Sequence, residues 1–313
     1  SRMPRLWKLM YEVSDRRNMA EKPVRGIAPV ERLLERLLRE WKPDAVVCTY
    51  MVYPYMLDSL ASRTDRAVPY LTVVTDSFVI NKSWLCSKSP LWAVTDPWTR
   101  AIMEEKGLPQ DRLRVTGFPV NPVLGALAKE HPLSWKEGEP FRVLYFAQRS
   151  ARHARAELAG MLDANPALHV TCILGRRFRR IYPRIRDLRA RYGRRLTVRG
   201  WTRRVPSYLA ASHVVVGKAG GATVHEVLAA ARPMLVNFLL PGQEEGNTRL
   251  LEKLGGGGHV PDVRALASAL QEMMADGGAQ WRRMHENLLR AGMTGGSGRI
   301  ADLALKLAEE HTN

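Results

Sequence analysis

The chain has 313 residues, enough for two domains with a core each. Its 45% apolar content is that of a globular protein. Formal net charge is +17, from 48 Lys and Arg against 31 Asp and Glu, a balance that attracts nucleic acid and anionic lipid alike. Three scattered cysteines, Cys48, Cys86 and Cys172, form no C-x-x-C. They point to buried thiols in a reducing compartment and away from disulfides or metal ligands. The N-terminal residues carry no signal-peptide pattern. The longest apolar stretch, Ala45 to Leu57, is too short to span a bilayer and contains Pro54.

Strands and helices are expected to alternate along the chain. Val30, Leu33, Leu34, Leu37 and Leu38 make an apolar stripe that predicts a helix over residues 30–40. Strands are expected at 44–49, 70–75, 91–95 and 112–116. A helix over 97–106 opens at Pro97, favoured in a first turn, and stops at Gly107. The segment Asn121 to Pro140 is proline-rich, polar and poorly periodic, and reads as a linker.

A second βα series opens with Phe141-Arg142-Val143-Leu144-Tyr145-Phe146. Its strands are expected at 141–147, 168–174, 196–199, 213–216 and 234–238. The first runs into Ala147-Gln148-Arg149-Ser150, where Ser150 is placed to cap the next helix and touch a phosphate. Helices dominate from Val263 onward. Between these strands lies Arg176 to Arg204, rich in arginine with Asp187 as its one acid. Phe178, Ile181, Tyr182, Ile185 and Leu188 recur within it at spacings of three and four, the pattern of a basic amphipathic helix. A solvated helix face is the alternative. There is no zinc spacing, RNA-binding signature or helix-turn-helix to go with the charge.

The segment Val216-Gly217-Lys218-Ala219-Gly220-Gly221-Ala222-Thr223-Val224-His225-Glu226 is the most informative. An apolar strand runs into a glycine turn, and a helix over Thr223 to Ala231 follows, stopped by Pro233. Glycine lets backbone approach a ligand closely. The helix start presents unpaired N–H groups and about half a positive charge, which suits a phosphate. Glu226 lies about one turn in, where a carboxylate meets two hydroxyls of a ribose. A tight turn with a solvated Glu is the competing reading. After the next strand comes Leu239-Leu240-Pro241-Gly242-Gln243-Glu244-Glu245-Gly246-Asn247. It places amides and carboxylates at a strand end, where α/β folds bind ligands, and Gln and Glu suit sugar hydroxyls.

The pairing of GKAGGATVHEVLAAARP with LPGQEEGN resembles the C-terminal half of family 28 glycosyltransferases, most closely the monogalactosyl- and glucosyl-diacylglycerol synthases. Upstream, Lys42-Pro43-Asp44, Val73-Val74-Thr75-Asp76 and Arg114-Val115-Thr116-Gly117-Phe118-Pro119 resemble the family's N-terminal elements, in the family's order. The resemblance implies an α/β chain of the GT-B fold, two Rossmann-like domains facing across a cleft. It implies an acceptor domain over 1–122, a linker over 123–140, a nucleotide-sugar domain over 141–297, and a last helix within 298–313 that crosses back to the first domain. The family normally begins with a strand, a glycine-rich loop and a helix, which precede anything found here.

The resemblance further implies inverting, metal-independent transfer of a hexose from a UDP-sugar to a lipid hydroxyl, diacylglycerol above all. UDP-sugar is then the donor substrate and no cofactor is needed; the sequence contains no D-x-D to hold a metal. The expected donor residues are Gly220, Gly221, Thr223, Glu226, Gln243, Glu244, Asn247, Lys218 and Ser150. Asp76, at a strand end, is the expected base, with a helix cap or loop anchor as its alternative. His225 reads as a helix residue beside the site. The expected partners are UDP-sugar, a lipid acceptor and an anionic membrane surface, without nucleic acid. The expected place is peripheral, on the cytoplasmic face of the plasma membrane. A nucleotide-sugar epimerase or hydrolase on the same fold, or a basic nucleic-acid-binding protein, are the alternatives.

Overall fold

The computed structural model describes residues 28–64, 67–130, 133–240 and 242–312, so the expectations about the start of the chain lie outside the described residues. The chain divides into two compact units. The first comprises the chain up to Pro119 with 241–243 and Gly295–Asn313; the second comprises Val120–Leu240 and Glu244–Thr294.

In the first unit, α1 (Ala28–Trp41) leads into β1 (Val46–Cys48), α2 (Val52–Ala61), β2 (Tyr70–Val73), β3 (Leu91–Val94), α3 (Pro97–Glu105) and β4 (Leu113–Val115). The strands form one parallel sheet in the order β1-β2-β3-β4. Each strand is three or four residues long, and β2 is buried throughout, as a sheet covered on both faces requires. Asp96 caps α3 by accepting from the Thr99 amide at 2.8 Å, one residue before Pro97. The C-terminal helix of the chain (Gly296–Thr312) lays Ile300, Leu303, Ala304 and Leu307 against Leu71, Val73 and Ala93 of this sheet.

The second unit opens with α4 (Val123–Glu130), a helix within the segment 121–140 that the sequence reads as a linker. The eight-residue helix is too short, and too closely framed by Pro122 and Pro132, for its period to show in sequence. Leu124 is buried, and beyond the helix Trp135 packs edge-on against Phe141 at 5.4 Å. Residues of this segment therefore belong to the core of the second unit. Then follow β5 (Phe141–Phe146), α5 (Ala151–Ala164) and β6 (Leu168–Ile173).

The arginine-rich run is not one amphipathic helix. It breaks into α6 (Phe178–Ile181), a 3-10 turn over Tyr182–Arg184, and α7 (Arg186–Tyr192), ending where Gly193 turns to φ 56°. Pro183 lacks the N–H that a continuous helix needs there. The apolar period was real: Ile181, Ile185 and Leu188 are all buried in the core. Chain order continues with β7 (Leu196–Arg199), α8 (Val205–Ala210), β8 (Val214–Lys218), α9 (Gly221–Ala229), β9 (Met234–Phe238), α10 (Gln243–Lys253) and β10 (Gly257–His259). The helices α11 (Val263–Met274) and α12 (Ala279–Ala291) complete the unit. β10 was not expected, because a Gly-Gly-His strand carries no β-propensity.

The second sheet is parallel, in the order β10-β9-β8-β5-β6-β7. From β5 the chain builds outward one way through β6 and β7, then returns to lay β8 on the other side of β5. This reversal of strand order places a crevice between the ends of β5 and β8, where open α/β sheets take their ligands.

Candidate functional site

Tyr145 of β5 lies beside Val216 of β8, so the loops that leave these strands flank the crevice. After β8, Gly220 caps α9 in an extended conformation, φ −68° and ψ 141°, with no side-chain hydrogen bond. The first helical hydrogen bond runs from the Val224 amide to the Gly220 carbonyl at 2.9 Å. The amides of Gly221, Ala222 and Thr223 precede it, and no helical carbonyl is available to them. The expected phosphate residues Gly220, Gly221 and Thr223 thus share one helix start.

Glu226 is half-buried on α9, about one turn beyond Gly221, and makes no hydrogen bond or ion pair with the described residues. Burial raises its pKa above the ordinary carboxylate range. His225 beside it is buried in the core, which holds its pKa down to about 3 and keeps the ring neutral.

Three expected donor residues are already engaged. Lys218 ion-pairs with Oε1 of buried Glu244, whose Oε2 accepts from the Leu240 amide at 2.7 Å. Both oxygens of Glu244 thus already accept from the protein, one contact each. Lys218 itself lies against the glycine turn, its Nζ 3.7 Å from where a Cβ on Gly220 would stand. Asn247 is fully buried and donates from Nδ2 to the Ala219 carbonyl at 3.0 Å, tying α10 to the turn. Its Oδ1 is buried without a partner among the described residues. Gln243 is the first residue of α10. Across the crevice, Ser150 caps α5, accepting from the His153 amide at 3.4 Å and pairing with His153 Nδ1 at 2.8 Å.

Four residues at the crevice escaped the sequence reading. Glu157, 3% exposed, accepts from the Tyr145 hydroxyl and from Asn237 Nδ2 at 2.9 Å, and pairs with Arg149 at 3.4 Å. The one signal available was Asn237, the one polar side chain of the otherwise apolar β9.

In the first unit, Asp76 lies just beyond β2 and is 2% exposed. Its Oδ2 accepts from the indole of buried Trp84 at 2.8 Å. Val74-Thr75-Asp76 recurs as Val94-Thr95-Asp96 one strand over, and the two loops are joined through Ser77 and Thr95 at 2.9 Å. These contacts make Asp76 an anchor of its loop, the alternative that the sequence leaves open beside the base role. Cys48 and Cys172 are free and buried, with thiols pushed up by burial. No group of acidic, His and Cys side chains suited to a metal occurs among the described residues.

Residues 1–120 match the family model described as monogalactosyldiacylglycerol (MGDG) synthase. The chain is 25% identical over 252 residues to the processive diacylglycerol beta-glucosyltransferase of Staphylococcus carnosus, covering 79% of this chain and 63% of that protein. It is 23% identical over 285 residues to the protein of the same description from Bacillus subtilis, covering 89% and 73%. Among solved structures, Anabaena Alr3699/HepE in complex with UDP superposes with a TM-score of 0.57 at 13% identity, covering 90% of this chain and 82% of that one. The chain is similar to glycosyltransferase family 28 in both halves and has the GT-B fold. It spans less than two thirds of the first of these relatives. It departs from that family's glycines after β5, where Gln148 and Arg149 stand.

Two outcomes follow from these contacts. A carboxyl with a raised folded-state pKa adds stability below its unfolded pKa and loses it as pH climbs through the folded one. Ionised Glu226 therefore costs stability at neutral pH, and Glu226→Gln should raise the melting temperature at pH 7 by a margin that shrinks towards pH 4. A margin independent of pH would assign the gain to something other than ionisation. For Asp76, urea unfolding should show Asp76→Ala losing about 1–3 kcal/mol, because the Trp84 indole is left unpaired, and Asp76→Asn losing less. An Asp76→Asn variant of wild-type stability without turnover would return the base role to Asp76.

Proposed function

We propose that this protein transfers a hexose from a UDP-sugar to the hydroxyl of a membrane lipid, diacylglycerol first, with inversion and without a metal. The observation that carries the reading is Glu226: a half-buried carboxylate with no partner among the described residues, one turn beyond an unblocked helix start at the switch point. Leaving a carboxylate so placed is costly unless a ligand completes it. Two vicinal hydroxyls of a ribose do so, while the amides of Gly221, Ala222 and Thr223 meet the diphosphate. The relatives suggest the lipid, since both are processive diacylglycerol beta-glucosyltransferases.

In this reading the acceptor oxygen attacks the anomeric carbon from the face opposite UDP. The new C–O bond forms as the bond to the β-phosphate oxygen breaks, and its electron pair leaves on the diphosphate. The acceptor proton passes to a base. The start of α9 stabilises the leaving charge with fixed N–H dipoles, which need no reorganisation as the charge develops. Glu244 acts by seating Lys218 and the Leu240 amide, and Gln243, at the head of α10, serves the sugar.

Radioactive transfer from UDP-glucose and UDP-galactose to detergent-dispersed diacylglycerol tests the activity. Glu226→Ala should weaken UDP binding by about 1–3 kcal/mol, the loss of charged hydrogen bonds. Calorimetry showing wild-type affinity for that variant would remove the ribose assignment.

No described helix is long and apolar enough to cross a membrane, so the lipid is met at the surface. Arg176, Arg179 and Arg180 are exposed beside the buried Ile181 and form a cationic face. Arg177 differs, since it donates to the carbonyl of Gln148 and at 3.4 Å to that of Arg149. Each exposed arginine near an anionic surface contributes about 1 kcal/mol. Replacing the three by glutamine should weaken flotation with anionic liposomes at low salt and leave UDP affinity unchanged. Equal flotation of the triple variant would make this face a solvated one.

A further inference from the structure

Arg149 follows β5 at the switch point, in a loop that Arg177 holds by its carbonyls. Its guanidinium lies 5.4 Å from the centre of the Phe238 ring, at the end of β9. β8 runs between these two strands, with Lys218 partnering Phe238. Arg149 therefore reaches across the crevice, over the end of β8, at the same end of the sheet as the glycine turn.

Its pairing is one-sided. The side chain of Glu157 is 4% exposed and that of Arg149 is 27% exposed. Glu157 also takes hydrogen bonds from Tyr145 and Asn237, so its charge is met by two neutral donors as well as the arginine. Arg149 has five N–H donors. One makes the 3.4 Å contact to Glu157, and the others have no partner among the described residues. The pair is a dipole with its negative end in the core and its positive end in the crevice. Lys218 and Glu244 repeat the arrangement on the neighbouring strand, with side chains 29% and 6% exposed.

We infer that Arg149 binds the diphosphate of the nucleotide donor, with buried Glu157 as the residue that positions it. The inference rests on the nucleotide reading of the crevice given above. A planar guanidinium with donors to spare suits two phosphate oxygens. It meets the charge that builds on the leaving group from the side opposite the start of α9. Tyr145, Asn237 and Glu157 fix the inner edge of the fork before the ligand arrives.

Calorimetry with UDP and with uridine separates this role from that of a mere counter-ion. Arg149→Gln should weaken UDP binding at least about tenfold, as expected for a lost charge-assisted bond, and leave uridine binding within about twofold. The double variant Arg149→Gln/Glu157→Gln removes the carboxylate that the single change leaves unpaired. It should melt near the wild type and show the same selective loss of UDP. Equal weakening of UDP and uridine, or wild-type UDP affinity in the folded double variant, would overturn the inference. A wild-type protein that binds neither ligand overturns the nucleotide reading itself, and this inference with it.

Discussion

Everything at the candidate site depends on the reversal of strand order between β5 and β8. Parallel strands with helical crossovers cover both faces of a sheet, so the strand ends are where backbone stays accessible. Where neighbouring strands send their chains in opposite directions, the following helices part and leave a crevice. In the second unit that crevice receives the start of α9 from β8 and the Arg149 loop from β5. Neither loop has a site without the other.

The floor of the crevice is built from buried carboxylates. Burying a lone carboxylate is expensive, and the effective penalty remains several kcal/mol even after relaxation. Glu157 and Glu244 meet it by accepting from neutral donors as well as from a cation. Each holds a half-exposed cation in one place. Glu226 is the exception, a half-buried carboxylate at the same crevice whose oxygens meet no donor among the described residues. Stability is surrendered at that position, the usual mark of a group whose partner is a ligand.

The arginine-rich stretch shows how one sequence serves two masters. Its apolar residues close the core beneath α5, and one bidentate pair, Arg155 with Asp187 at 2.6 Å, fastens its middle to that helix. Pro183 and Gly193 cut the helix into short pieces without disturbing which residues face inward. The charges are what remain outside.

Local steric and periodic rules carried much of the fold in the sequence itself. The alternation of strands and helices, the helix start at Pro97, the glycine helix start after β8 and the place of Glu226 one turn later all depend on residues a few positions apart. The failures were of two kinds. Short elements between prolines or glycines, α4 and β10, have no period to read. Partnerships across long separations have no local signal at all: Asn237 meets Glu157 across 80 residues, and Lys218 meets Glu244 across 26. Sequence alone therefore determined which residue types stand at the strand ends. Only tertiary structure decided that Glu244 turns inward to Lys218, that Asp76 is buried against Trp84, and that Arg149 crosses the crevice, because strand order sets which ends become neighbours.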